Sequence, residues 1–227
     1  MVGDGANDCG ALRAAHTGIS LSDTESSVAA PFTSRETNIT CIIDVIREGR
    51  AALVTSFGIF KYMAAYSLIQ FVSVILLYSI ESNLTDVQFL YIDLFVISVL
   101  AFFFGQTEAY DGALHKKPPI SRLLSLEPVL SLIGQIVAVS VFQYASLWYL
   151  RSMDWFVPFD IKAKDEEDGV GCVENYTIFI VSSIQYVILA FVFSKGWPYR
   201  KAVWTNRGFL SKLLKFMIII RINYNLA

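Results

Sequence analysis

The sequence predicts a mainly α-helical membrane protein, a multi-span transmembrane helix bundle preceded by a short soluble head. Hydrophobic residues make up 55% of the 227-residue chain, and its mean hydropathy is +0.52. The apolar residues come in long uncharged runs rather than at amphipathic spacing, which favours membrane spans over a soluble core. The opening segment, up to about Arg50, differs because glycine, aspartate and other polar residues interrupt it.

Four apolar runs are each long enough to cross a bilayer. A helix rises about 1.5 Å per residue, so about 20 apolar residues span the hydrocarbon core. A further segment, residues 209–222, is doubtful, since its apolar patch between Lys215 and Arg221 is too short to span by itself. The four predicted spans are residues 62–80, 87–105, 128–150 and 175–194.

Charges in the loops predict the orientation of the bundle. Gln106–Glu127 carries three Lys or Arg residues and Lys195–Arg207 carries four, whereas Arg151–Glu174 holds seven acidic residues against three basic ones. Because basic loops stay on the cytosolic side, we expect these two loops and the head in the cytosol and the acidic loop in the lumen or outside. The acidic run 164–169 is interpreted as a solvated loop, with a vestibule that concentrates cations as the alternative.

Composition argues against several other classes of protein. The net charge is only -2, so the chain lacks the basic footprint of a nucleic-acid-binding protein. The three cysteines, Cys9, Cys41 and Cys172, lie far apart with no CxxC spacing. Neither a disulfide framework nor a zinc site follows from them.

Two carboxylates within or at the start of the second span are the strongest candidates for a binding site. Asp86, Phe89 and Asp93 are spaced i, i+3 and i+7, which places them on one helix face. Tyr66 and Gln70, spaced i and i+4, give the preceding run a matching polar edge. A carboxylate at membrane depth is costly and usually marks an ion or substrate route. Two such edges facing each other would form an anionic and aromatic pocket, suited to a cationic ligand.

Each of these residues also has a purely structural interpretation. Asp86 can cap the N-terminus of the second span. Asp93 can hydrogen-bond Gln70 as a link between helices, and Tyr66 can be an ordinary packing residue. The sequence leaves both interpretations open.

The opening run, MVGDGAND, is a second candidate site. We interpret Gly3–Asn7 as a loop that leads into a helix at Asp8–Ala15 and a short strand at Gly18–Leu21. Asp4 and Asp8 would supply hard oxygen ligands of the kind that Mg²⁺ prefers. The alternative is a simple Gly-Asp turn that caps a helix.

GDGAND followed by a small-residue helix resembles the hinge motif of the P-type ATPases, in their haloacid-dehalogenase-like α/β phosphorylation domain. The resemblance implies that Asp4 ligates Mg²⁺ and that Asn7 and Asp8 support the phosphorylation site, so that the head is a partial domain of that kind. It divides the chain into the C-terminal edge of the phosphorylation domain (1–38), a stalk helix (39–61) and the transmembrane domain (62–227).

The segment Phe60–Leu94 is similar to the fifth-class, polyamine-transporting, 13A-like branch of that superfamily. In that branch the matching spans, together with an unwound upstream helix, form a site for a linear polycation. The two carboxylates would lie about 10 Å apart along a helix, so each can pair with one ammonium group. The resemblance implies a substrate site formed by Tyr66, Gln70, Asp86, Phe89 and Asp93.

The resemblance implies an ATP-driven translocase that carries polyamines such as spermine from the lumen or exterior to the cytosol. Mg²⁺ and ATP would be its cofactors, and it would reside in an endosomal or lysosomal membrane. The chain holds neither a DKTG sequence, with its phosphorylated aspartate, nor a TGE sequence, so we expect no ATP hydrolysis from it alone.

Its partners would be membrane lipid, a polyamine or other organic cation, and the missing upstream domains or a full-length pump. The alternative is a non-catalytic multi-span membrane protein that binds cations or modulates a full-length pump.

Overall fold

The computed structural model describes residues 1–22, 25–36, 38–123, 125–159 and 172–226. A small α/β head is followed by a set of long helices. The head contains β1 (Val2–Gly3), α1 (Cys9–Ala14), β2 (Ile19–Ser20) and β3 (Phe32–Thr33). The remaining helices are α2 (Cys41–Tyr78), α3 (Asp86–Leu90), α4 (Ser98–Gly105), α5 (Leu126–Arg151), α6 (Val173–Phe193) and α7 (Arg207–Leu226).

The head is organised around a parallel three-stranded sheet in the order β1-β2-β3. Ile19 pairs with Val2 on one side and with Phe32 on the other, so β2 is the central strand. The strand predicted at Gly18–Leu21 is therefore present. The loop predicted at Gly3–Asn7 is shorter than expected, because β1 includes its first residue and a 3₁₀ turn begins at Ala6.

The bundle confirms the prediction of a mainly helical membrane protein. Four helices are long and apolar enough to cross a membrane, and each overlaps one of the four predicted spans: Cys41–Tyr78, Asp86–Gly105, Leu126–Arg151 and Val173–Phe193. The doubtful segment 209–222 lies within α7, which is not among these four in the described part of the chain. Residues 160–171 of the acidic loop, including the run 164–169, lie outside the described residues.

The first predicted span differs from the structure at both of its ends. The predicted stalk (39–61) and the span (62–80) form one uninterrupted helix of 38 residues, which ends at Tyr78. Lys61 at the predicted boundary does not break the helix, because lysine has a high helix propensity. A single continuous helix, α2, therefore leads from the head into the bundle.

The core of the bundle lies between α2 and α6. Tyr62, Ile69 and Leu77 of α2 are fully buried, as are Ile178 and Tyr186 of α6. Helix α6 also packs against α4, α5 and α7, so it is the central helix of the bundle.

A close approach of α2 to its neighbours requires a glycine at position 58. A Cβ atom there would lie 2.6 Å from the Phe104 ring and 3.3 Å from the Phe193 carbonyl oxygen. Both neighbours belong to the bundle, and the side chain of Phe104 is fully buried. No larger residue fits without moving α2 away from α4 and α6.

We expect Gly58→Leu to destabilise the bundle by about 1–3 kcal/mol, the usual cost of inserting side-chain atoms into a packed core. The measurement is the midpoint of thermal unfolding of the purified chain in detergent. Gly134→Leu is the matched control, because a Cβ at Gly134 of α5 has no neighbour within 4 Å. Equal midpoints for the two variants would contradict the close packing at Gly58.

A buried polar network links three of the spanning helices. Gln143 of α5 donates from Nε2 to Ser73 Oγ of α2 and to Gln185 Oε1 of α6, each at 2.9 Å. Gln185 in turn donates to the Val139 carbonyl at 3.2 Å. Ser73 and Gln143 are fully buried. Side-chain amides that bond across helices stabilise membrane bundles, so this network fixes α2 against α5 and α6.

The bundle end at which α4 and α6 terminate is here called the basic end. There the loop after α4 is bonded to the loop after α6. Arg200 is 1% exposed; its Nη2 donates to the Phe104 carbonyl at 2.6 Å, and its guanidinium lies 5.1 Å from the centre of the Phe104 ring. Burial lowers the pKa of Arg200 to about 10, so it stays charged at neutral pH. Lys201 adds ion pairs to Glu108 and Asp111 at 2.7 Å. The Arg200 guanidinium, which lies at the C-terminus of α4, also interacts favourably with the negative end of the helix dipole.

Candidate functional site

The opening motif forms a tight turn closed by Asp8. Its Oδ2 accepts the backbone N–H groups of Asp4 at 3.1 Å and Gly5 at 3.3 Å. Gly3 allows this approach, because a Cβ at that position would lie 2.7 Å from the same oxygen. Asp4 and Asn7 are exposed. The Asp8 carboxylate therefore organises the turn, while the Asp4 carboxylate faces solvent and is accessible to a cation.

Asp86 does not supply the side-chain cap of the second span, although it lies in the first turn, where a carboxylate complements the helix dipole. Thr85, not Asp86, caps the second span: Thr85 Oγ1 accepts the Gln88 N–H at 3.3 Å and Gln88 Oε1 accepts the Thr85 N–H at 2.8 Å. This reciprocal pair is a capping box. Asp86 lies in the first turn with its side chain exposed, and no described residue pairs with its carboxylate.

Asp93 lies in a segment where the helix widens. Residues Tyr91–Ile97 form a π-helix between α3 and α4. The Asp93 carbonyl accepts both the backbone N–H of Ser98 and its hydroxyl group, the latter at 2.7 Å. Short π segments occur frequently at functional sites. The Asp93 side chain is exposed, and the described residues provide no hydrogen bond or ion pair to its carboxylate. The predicted alternative, a bond to Gln70, is thus also absent among them.

Tyr66 and Gln70 of α2 and Phe89 of α3 are half-buried. The Tyr66 ring meets Tyr186 of α6 edge-on, with 6.4 Å between ring centres. Phe89 packs against the edge of the core. The structure therefore places Tyr66 partly in packing, as one of the two open interpretations expected.

Sequence reasoning missed Tyr186 and Tyr62, which connect the predicted residues. Asp93 and Tyr66 both lie within electrostatic range of the fully buried Tyr186. Tyr62 is fully buried, and its hydroxyl group has no hydrogen-bond partner among the described residues. The available signal was the i, i+4 spacing of Tyr62 and Tyr66 within an apolar run. Tyr186 could not be placed beside them without the packing of α6.

The helix face that carries the carboxylates is otherwise apolar and exposed. Val87, Leu90 and Leu94 are between 53% and 76% exposed and lie next to Asp86 or Asp93 along the same helix. A carboxylate at membrane depth normally faces a bundle interior or an aqueous path. The apolar side chains suit contact with lipid or another helix, whereas the exposed carboxylates do not suit contact with lipid.

The fold and these residues define a multi-span helical membrane protein with carboxylates on its second span. No protein-family model matches the sequence. The chain is 51% identical to the probable cation-transporting ATPase catp-6 of Caenorhabditis elegans, over 91% of the chain and 16% of that relative. It is 42% identical to the polyamine-transporting ATPase 13A3 of Homo sapiens, over 97% of the chain and 20% of the relative.

A fungal relative extends the comparison. The chain is 46% identical to the vacuolar cation-transporting ATPase YPK9 of Saccharomyces cerevisiae, over 92% of the chain and 14% of that relative. The chain belongs to the 13A-like P-type ATPases, and the resemblance carried by its motifs is confirmed. It spans a fifth or less of the length of these relatives.

Proposed function

We propose that this chain is part of an ATP-driven P-type transporter that carries polyamines such as spermine from the lumen or exterior to the cytosol. The observation that carries the proposal is the unpaired Asp93 carboxylate in a π-helical segment of a membrane span. Neither a side-chain cap by Asp86 nor a bond from Asp93 to Gln70 is found among the described residues. The relatives named as polyamine or cation transporters support the same role.

The spacing of the carboxylates suits an extended polycation better than a single metal ion. Asp86 and Asp93 are seven residues apart, which corresponds to about 10 Å of helix rise. Metal ions need several oxygen ligands around one point, and no group of three or more such side chains occurs in the described part of the chain. Phe89 lies between the carboxylates in sequence and offers a ring face to methylene or ammonium groups.

In this proposal residues 1–38 are the edge of a haloacid-dehalogenase-like phosphorylation domain. The parallel sheet and the turn closed by Asp8 are compatible with it. Asp4 fits a Mg²⁺ site that also recruits phosphate and water, because its carboxylate is exposed. Asn7 and Asp8 would support the phosphorylation site, while ATP would bind to another domain of the full-length pump. The stalk, 39–61, is the first part of α2.

The proposed orientation follows the charges of the loops. The head, the basic end and the loop Gln106–Glu127 face the cytosol, and Arg151–Glu174 faces the lumen. The vacuolar location in the name of the yeast relative supports an endosomal or lysosomal membrane. The chain alone is expected to be inactive, because no DKTG sequence is present to accept the phosphoryl group.

A chimeric transporter tests this function. The matching segment of human polyamine-transporting ATPase 13A3 is replaced by this chain, and ATP-dependent uptake of labelled spermine is measured in proteoliposomes. We expect uptake that vanadate inhibits, with the isolated chain showing none. A chimera that inserts, folds and hydrolyses ATP but never responds to a polyamine would contradict the proposed substrate. Loss of ATP hydrolysis as well would instead contradict the roles proposed for the head.

A further inference from the structure

A cleft of about 740 Å³ opens at the basic end, between α2, the loop after α4, the start of α5 and the end of α6. Its lining includes four basic side chains, one carboxylate and the phenol of Tyr199; the basic and acidic residues are Lys61, Lys117, Lys195, His115 and Glu127. None of these residues belongs to the proposed polyamine site, so the cleft is a separate feature of the bundle. With histidine neutral, three positive charges face one negative charge.

The single carboxylate does not neutralise the cleft. Glu127 lies 4.0 Å from Lys195, at the limit of an ion pair, and both side chains are mainly exposed to solvent. Such a pair contributes little. Lys61 instead lies over the ring of Phe193, with Nζ 5.0 Å from the ring centre. Neither Lys61 nor Lys117 forms an ion pair with a described residue. The cleft therefore has excess positive charge available to an anion.

The walls of the cleft are apolar and lie at the level where the spans end. Phe57 of α2, Val192 of α6 and Ile120 of the loop line it. Trp197 is 68% exposed and its ring lies 6.0 Å from that of His115. Tryptophan beside lysine is typical of the interface between headgroups and acyl chains. A free phosphate ion would use the lysines but not these walls.

We propose that this cleft binds the phosphate-bearing headgroup of an anionic membrane lipid. The three lysines would bind the phosphate oxygens as point charges, which suits a headgroup without a fixed orientation. The acyl chains would lie along the apolar wall. Basic pockets between spans on the cytosolic side are typical sites for anionic headgroups. The occupied cleft would link α2 to α6 and to the loop after α4.

Native mass spectrometry of the purified 227-residue chain in detergent tests the proposal. Phosphatidic acid and phosphatidylcholine are titrated separately. We expect selective retention of phosphatidic acid, and the variant with Lys61→Gln, Lys117→Gln and Lys195→Gln should lose about fivefold in apparent affinity per lysine removed. Lys116→Gln is the matched control, because Lys116 is exposed and does not line the cleft. Its affinity should stay within about twofold of the wild type.

Two further arms keep the test decisive. Glu127→Gln removes the only acidic side chain that the described residues contribute to the lining, so it should tighten phosphatidic acid binding even if the triple variant fails to fold. Inorganic phosphate is added as a competitor. Displacement of the lipid by millimolar phosphate would show a soluble anion as the occupant and overturn the proposal. Equal retention of phosphatidylcholine, or equal losses in Lys116→Gln and the triple variant, would overturn it as well.

Discussion

Replacing Asp93 with asparagine is expected to abolish most ATP-dependent spermine uptake by the chimeric transporter without lowering its expression. Asparagine has the same shape, and the carboxylate has no partner among the described residues that the change would disrupt. What is lost is a charge-assisted bond to an ammonium group. Such a bond is worth about 1.5–3 kcal/mol, which corresponds to a roughly ten- to hundredfold fall in uptake at low spermine concentration.

Asp86→Asn is expected to reduce uptake less, because Asp86 lies at the end of its span, where water screens its charge. Asp154→Asn provides the control, since Asp154 is an exposed carboxylate beyond the end of α5. It should leave the spermine dependence unchanged. If uptake by the Asp93 and Asp86 variants matched that of the control, the polyamine site would lie elsewhere.

Arg200→Ala is expected to be the most destabilising single change at the basic end. Arg200 is the largest of the fully buried side chains. Its removal leaves a cavity and an unpaired Phe104 carbonyl at the end of α4. Large-to-alanine changes in a core cost about 2–5 kcal/mol, and an unsatisfied buried acceptor costs about 1–3 kcal/mol. We expect a loss of at least about 3 kcal/mol in the free energy of unfolding.

Two other variants separate packing from charge at this position. Arg200→Met fills the space without the hydrogen bond, so it should recover part of the loss, because it also avoids burying a cation. Lys201→Met removes only ion pairs at the surface, which contribute little, so it should cost much less than Arg200→Ala. The measurement is the free energy of unfolding of each variant, obtained by titrating the chain in mixed micelles with a denaturing detergent. An alanine variant as stable as Lys201→Met would contradict the role of Arg200 as the clasp between the loops.

The four spans could be predicted from the sequence because each is an uncharged run of the length that a bilayer requires. The predicted stalk helix (39–61) leads directly into the first predicted span, and most of both lies in the single helix α2. The π-helical segment could not be predicted from the sequence. The spacing of Asp86, Phe89 and Asp93 assumes regular α-helical turns, and Tyr91–Ile97 departs from them. An apolar sequence does not indicate which backbone carbonyl will accept a hydrogen bond from the N–H group five residues later, as the Asp93 carbonyl does from Ser98.

For the candidate sites, charge was the useful signal and packing was the missing one. Asp93 stands out because charged residues are rare within spans. Tyr186 does not, since a tyrosine in a span also fits ordinary packing. Arg200 was counted with the basic loop that predicts orientation. Its burial depends on pairing between loops about 90 residues apart in sequence, as in the bond from Tyr110 N–H to the Tyr199 carbonyl, which no local pattern reveals.

The close contact at Gly58 gives the long helix the geometry of a lever. It lies 17 residues from the start of α2 at Cys41 and 8 residues before Tyr66, which correspond to arms of about 26 Å and 12 Å. If this contact serves as the fulcrum, a sideways displacement of about 4 Å at the head would move Tyr66 by about 2 Å in the opposite direction. A displacement of the head would then move the half-buried Tyr66, which meets Tyr186 of α6, by about half as much and in the opposite direction.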